Sequence, residues 1–176
     1  MLRPQKILLC GGPDRCGKTS ILRELEQRTK IPYFKANNEH QNFLNDQERF
    51  INEIRFSDVK MVDFLYQTGV SVLMDRGYMC EFVYAQFFNR PTDTKVLRSL
   101  DRAYARMGAK VLICSRRSFK GICDDLRSDL DEIALERIAR LYDDFIRWSK
   151  CNCYTLYVDD EDLGRELQEI LAFLKE

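Results

Sequence analysis

Apolar positions along the chain follow two alternating rhythms. Short runs at residues 6–10, 31–35, 70–74, 110–114 and 154–158 are dense in Ile, Val, Leu, Phe and Tyr, as buried β-strands are. Between them, longer stretches repeat apolar residues every three or four positions, the helical period. Residues 18–29 place Ile21, Leu22 and Leu25 on one face, and residues 41–66 repeat Phe43, Leu44, Phe50, Ile51, Ile54, Val62 and Leu65. Thr68-Gly69 closes that second helix. Further helices are expected at 80–88, 95–107, 130–150 and 163–175, with Pro91 marking the break between the first two of these. Strand–helix alternation of this kind predicts a parallel sheet with helices on both faces, and right-handed crossovers make five strands a three-layer α/β domain.

Composition narrows the picture. The 176 residues contain no internal repeat and no Pro/Gly/Ser-rich linker, so one domain over 1–176 is expected. Lys and Arg number 28, Asp and Glu also 28, and the net charge of zero argues against whole-surface attraction to DNA or anionic lipid. Any contact with a polyanion must be local. No apolar run approaches the roughly 20 residues of a bilayer span, so no membrane partner is expected. Residues 1–6 do not resemble a secretory leader, and the cytoplasm is the expected location. Seven cysteines without a regular framework read as reduced thiols, and with His40 as the sole histidine, Cys151-Asn152-Cys153 lacks the ligands of a zinc site.

The first strand runs into Gly12-Pro13-Asp14-Arg15-Cys16-Gly17-Lys18-Thr19, followed by Ser20 and the first helix. Gly-x4-Gly-Lys-[Ser/Thr] between a strand and a helix is a phosphate cradle: the glycines let the backbone curl around an anion that the helix N-terminus also faces. In it Lys18 would reach the β- and γ-phosphates of ATP, and Thr19 would be a ligand of Mg2+. No Asn-Lys-x-Asp occurs, which argues against a guanine-specific switch. A small phosphotransferase remains. A carboxylate at the end of the third strand, Asp75, can hold the Mg2+ shell or orient an acceptor oxygen, and Arg76 can clamp an acceptor phosphate bidentately. Phe56, Tyr84 and Phe87 are candidates to stack on a base.

Gly12-x-Asp14-Arg15-x-Gly17-Lys18-Thr19 together with Asp75-Arg76-Gly77-Tyr78-Met79-Cys80-Glu81-Phe82-Val83-Tyr84 resembles the thymidylate kinase family, particularly its small phage-type members. The order of the later elements resembles it too. The resemblance implies a P-loop kinase fold, Arg15 as a cis arginine finger on the transferring phosphoryl group, and Asp14 on the acceptor's sugar hydroxyl or backbone groups. It also implies a possible homodimer through the helices flanking the third strand. The sequence departs from the family pattern at Gly77, where tyrosine is usual, at Cys80, near the usual serine, and at residues 35–39, which replace Glu-Pro-Gly-Gly. That replacement brings Glu39 to the position where deoxynucleoside kinases carry a general base for a sugar hydroxyl.

Residues 115–128 carry Arg116, Arg117, Lys120 and Arg127 with no apolar period. A basic segment after the sheet's carboxyl edge, with Gly121 as a hinge, reads as a closing lid in which Arg116 or Arg117 meets the ATP phosphates or lies along adenine. The expected reaction is ATP-dependent, Mg2+-assisted phosphorylation of a deoxynucleoside monophosphate, with thymidylate foremost. Three alternatives stay open: a deoxynucleoside acceptor, hydroxymethyluracil within phage DNA, and a non-catalytic ATP-binding regulatory module. The neutral charge disfavours the DNA acceptor.

Overall fold

A computed structural model describes residues 5–35, 47–122 and 130–175, with only the helical backbone at 47–51 and 53–55. In chain order the elements are β1 (Ile7–Gly11), α1 (Lys18–Thr29), β2 (Tyr33–Lys35), α2 (Gln47–Thr68), β3 (Val72–Asp75) and α3 (Tyr78–Phe87). They continue with α4 (Thr94–Arg106), β4 (Lys110–Ser115), α5 (Glu132–Trp148), β5 (Asn152–Tyr157) and α6 (Leu163–Phe173). The strands form one parallel sheet in the order β2-β3-β1-β4-β5. Helices flank it, with α1 against α6 and the chain of contacts α2–α4–α3–α5. This is the predicted three-layer α/β arrangement, and every predicted element is present.

Boundaries move for local reasons. The second strand shortens to Tyr33–Lys35 because Pro32 has no N–H to donate, although its carbonyl still accepts from Leu73 N at 2.9 Å. The third starts at Val72 and includes Asp75, while Val70 lies outside it and is 41 % exposed. Asp93 and Asp131 cap α4 and α5, fixing their starts at Thr94 and Glu132. The first six residues of the expected helix 41–66 lie outside the described residues. Its described part runs two residues further, to Thr68, before Gly69 at φ 64° ends it.

The sheet's centre is its driest part. All five residues of β1 are buried, as are Val111–Ser115 of β4. Strands buried on both faces read as continuous apolar runs, which is why both are plain in the sequence. Connections leave β1 toward β2 and leave β4 toward β5, in opposite directions across the sheet. The crevice outside the carboxyl ends of β1 and β4 is therefore the topological switch point, where open α/β sheets bind ligands. No described helix is long and apolar enough to cross a membrane.

Candidate active site at the carboxyl edge of the sheet

The loop after β1 is shaped by one close approach. Gly12 sits at φ 131°, and a Cβ there would lie 2.0 Å from the Cys114 carbonyl oxygen, so no side chain fits without moving β4. Gly17, at φ 63°, opens α1. In α4, α5 and α6 an aspartate (Asp93, Asp131 or Asp162) accepts hydrogen bonds from first-turn N–H groups. By contrast α1 begins on Gly17 and α3 on Gly77, neither with a side-chain cap. Neither first turn has a side-chain acceptor, which suits an anion at the sheet edge, although Cys80 N in α3 already donates to the Gly77 carbonyl at 2.8 Å.

Lys18 and Thr19 begin α1 and point their functional atoms in different directions. The Lys18 side chain is buried, and its Nζ donates to the Pro13 carbonyl at 2.5 Å and lies 3.9 Å from Asp14 Oδ1. The Thr19 hydroxyl donates to Asp75 Oδ2 at 2.7 Å, and the Tyr33 hydroxyl donates to the same oxygen at 2.9 Å. Burial, then Asp75, pushes the Tyr33 phenol pKa up. Asp75 is thereby fixed in orientation at the base of the crevice, with 1 % exposure.

Arg76 follows and donates to Asp14 Oδ1 at 3.1 Å, while the Tyr84 hydroxyl lies 3.5 Å from Asp14 Oδ2. Burial acts to lower the Arg76 pKa, and the Asp14 carboxylate beside it works the other way, with the net direction upward. Arg15 and Arg76 both occupy left-handed backbone, at φ 63° and 78°. Non-glycine residues there hold strain of about 1–3 kcal/mol each, and such strain gathers at functional sites. Asp14, Arg15, Cys16, Gly17, Lys18, Thr19, Ser20, Lys35, Asp75 and Arg76 enclose a cavity of about 190 Å³.

A second cavity, of about 570 Å³, shares Arg15, Gly17 and Ser20 with the first and extends past Arg116 to α6. Ile21, Ile122, Val158 and Leu163 give it apolar walls. Arg116 donates through Nε to the Arg15 carbonyl at 3.3 Å and pairs with Glu161 Oε1 at 2.9 Å. It therefore ties the phosphate loop to the segment after β5. Arg117 turns the other way, to Asp159 at 3.0 Å and over the Tyr157 ring, and lines neither cavity. Gly121 has φ 76°, and Phe119, buried two residues before it, anchors the start of the basic segment. Residues 123–128 of that segment lie outside the described residues, as does Glu39.

The aromatic candidates separate. Tyr84 is buried beside Asp14, whereas Phe56 on α2 is 61 % exposed, under Lys60, and lines neither cavity. Phe87 packs edge-on against Phe88 and under Arg137. Sequence reading missed Tyr33 and Lys35 at the smaller cavity and Val158, Leu163, Glu161 and Glu166 at the larger one. For Tyr33 and Lys35 a signal existed, since both belong to a strand ending at the same sheet edge. Thr19 and Asp75 offer the hard oxygens that Mg2+ prefers when phosphates and water complete its shell. Among the described residues no group of three His, Cys, Asp or Glu could hold a metal alone. The six described cysteines are free, and burial pushes the Cys16 thiol up to about 12.

Phosphate loop, strand order and switch-point crevice together define the P-loop kinase fold. No protein-family model matches the chain, and no curated protein matches it in sequence. Solved structures do match nearly end to end. The YorR protein of Bacillus subtilis, in complex with phosphorylated GDP, superposes with a TM-score of 0.72 at 17% identity, covering 96% of this chain and 95% of that one. A thymidylate kinase from Ehrlichia chaffeensis gives 0.66 at 14% identity, with 97% and 100% covered. Deoxyadenosine kinase from M. mycoides, with the products dCMP and dCDP, gives 0.61 at 16% identity, with 97% and 99% covered. At these identities the likeness establishes the fold.

Proposed function

We propose that the protein transfers the γ-phosphoryl group of ATP to a deoxynucleoside monophosphate, with thymidylate as the first acceptor to test. The observation that carries this reading is the charge of the smaller cavity. Arg15, Lys18, Lys35 and Arg76 face Asp14 and Asp75 there, four cations against two carboxylates. A nucleoside acceptor brings no charge to such a site, whereas a monophosphate brings about two negative charges beside those of ATP. The thymidylate kinase among the structural relatives is in keeping with this acceptor, and the deoxyadenosine kinase with the nucleoside alternative.

In this reading Lys18 leaves the Pro13 carbonyl for the β- and γ-phosphates, and the bare first turn of α1 receives the phosphate oxygens. An oxygen of the acceptor phosphate attacks the γ-phosphorus while the bond to the β,γ-bridging oxygen breaks, giving ADP and the deoxynucleoside diphosphate. Arg15, at the tip of the loop, neutralises charge on the group in flight. Arg76 and the uncapped start of α3 hold the acceptor phosphate, and Asp14 keeps the Arg76 fork aimed. Thr19 and Asp75 would hold Mg2+, which supplies neutralisation of the β- and γ-phosphate oxygens. Closure of the basic segment after β4 would exclude water, so that ATP is not simply hydrolysed.

The test is ADP release from ATP and Mg2+ with a panel of deoxynucleosides, deoxynucleoside monophosphates, and DNA containing thymine or hydroxymethyluracil. Strong stimulation by a monophosphate is expected. Stimulation by nucleosides or modified DNA alone would move the acceptor assignment, and tight ATP binding with no acceptor at all would make the protein a binding module.

A further inference from the structure

On α1 and α6 every arginine is balanced by a neighbouring carboxylate: Arg23 by Glu26, Arg28 by Glu24, and Arg165 by Asp160 and Glu169. Helix α4 is built differently. Its exposed positions Lys95, Ser99, Arg102 and Arg106 are spaced four, three and four residues apart, so they line one face over about 16 Å at 1.5 Å per residue. Among the described residues Lys95, Arg102 and Arg106 make no ion pair. The one acid within the helix turns inward: Asp101 is fully buried and accepts from the Tyr78 and Ser149 hydroxyls and from the Lys150 N–H. Arg98 flanks the row, with its guanidinium 3.7 Å above the Trp148 ring and donating to the Trp148 carbonyl at 2.8 Å. Arg98, Arg102 and Arg106 thus set like charges against one another at i, i+4 spacing, which destabilises a helix. In a chain whose net charge is zero, this row is a local excess.

The face also lacks any apolar anchor, since none of the exposed large hydrophobic side chains belongs to α4. Protein interfaces close over an apolar core, and a helix lying on a lipid surface inserts Trp, Phe or Leu. A nucleic-acid backbone asks for neither, because cations and hydroxyls alone hold its phosphates. We infer that the outer face of α4 binds the phosphodiester backbone of a nucleic acid, with Lys95, Arg102 and Arg106 on phosphates, Ser99 donating between them and Arg98 adding charge from the side. No α4 residue lines either cavity, so this surface is separate from the crevice and stands whether or not the kinase reading does.

The test is fluorescence anisotropy of labelled single- and double-stranded DNA about 20 nucleotides long, without ATP, beside binding to phosphatidylserine vesicles. With four cations engaged, affinity for DNA should fall about 50- to 150-fold between 50 and 200 mM salt. Arg102→Glu/Arg106→Glu should weaken binding at low salt at least about tenfold, with Tm and ATP turnover as in wild type. Arg102→Gln/Arg106→Gln, which removes the charge and keeps good helix formers, should show a smaller loss in the same direction. Arg140→Glu, exposed on α5, should leave binding within about twofold. No binding to either DNA at low salt overturns the inference, and so does binding that survives both double variants, which puts the contact elsewhere. An equal loss in Arg140→Glu overturns it by making the attraction one of overall charge. Tighter binding to the vesicles, abolished in the double variants, overturns it in favour of a lipid surface.

Discussion

The two ends of the crevice are built on opposite principles. At the phosphate end, side chains crowd a cavity of about 190 Å³ and hold one another: Thr19 and Tyr33 on Asp75, Arg76 and Tyr84 on Asp14, Lys18 on Pro13. At the other end, where the proposed reading leaves room for the base of ATP, a space three times larger has aliphatic walls. The first end is preorganised electrostatics, suited to a charge that moves during reaction. On the proposed reading, the second offers contact that is the same before and during reaction. Substitutions at the phosphate end should therefore change kcat, and those at the base end KM for ATP.

Lys18→Ala should have the largest effect. The lysine is the one buried cation of the cradle, and its loss should lower kcat about 1000-fold or more, with thermal stability nearly unchanged. Turnover within tenfold of wild type would remove Lys18 from the chemistry. Gly12→Ala should come next, through the fold itself. The added Cβ meets the Cys114 carbonyl at 2.0 Å and the φ of 131° is hostile to alanine. A destabilisation of roughly 3 kcal/mol is expected, lowering Tm by about 6–12 °C for a chain of this length, readable by calorimetry. An unchanged Tm would mean that β4 yields easily and the phosphate end is softer than its packing suggests.

Arg15→Ala tests whether the crowded end acts on the moving charge. We expect kcat to fall about 100-fold while the ATP dissociation constant changes less than about threefold. Normal turnover would sink the arginine-finger role. Equal losses in binding and turnover would make Arg15 an ordinary phosphate contact.

The same contrast governs how much of the molecule was legible beforehand. Gly12 to Ser20 is contiguous, so one stretch of sequence carries the loop, its lysine and its hydroxyl, and its neighbours announce a strand and a helix. Asp75-Arg76 was legible because a buried apolar strand ended on charge. The Asp14–Arg76 pair spans 62 positions and Tyr33–Asp75 spans 42, so neither contact has a local signature. The base end is drawn from α1, the segment after β4 and the β5–α6 connection, and Val158 and Leu163 look in sequence like any strand end and helix start. Glu166 reads as a routine surface glutamate in a first helical turn. Only burial without a partner distinguishes it, and burial is a property of the fold. Phe56 went the other way: a candidate to stack on a base, it faces solvent in the fold.

Leu163→Ala should give the smallest effect and the cleanest contrast. Leu163 is 39 % exposed at the start of α6, so truncation leaves little cavity behind and the fold should hold. What it removes is apolar contact available equally to the ground state and the transition state. At about 25 cal/mol per Å² of apolar surface, losing a few tens of Å² against the base should raise KM for ATP roughly threefold, with kcat unchanged. A fall in kcat instead would mean that base contact is transmitted to the phosphates, through Arg116 and its hold on the Arg15 carbonyl. The two ends would then be one device, with Arg116 as the strut between them, and Arg116→Ala should reproduce the kcat loss in an otherwise wild-type protein.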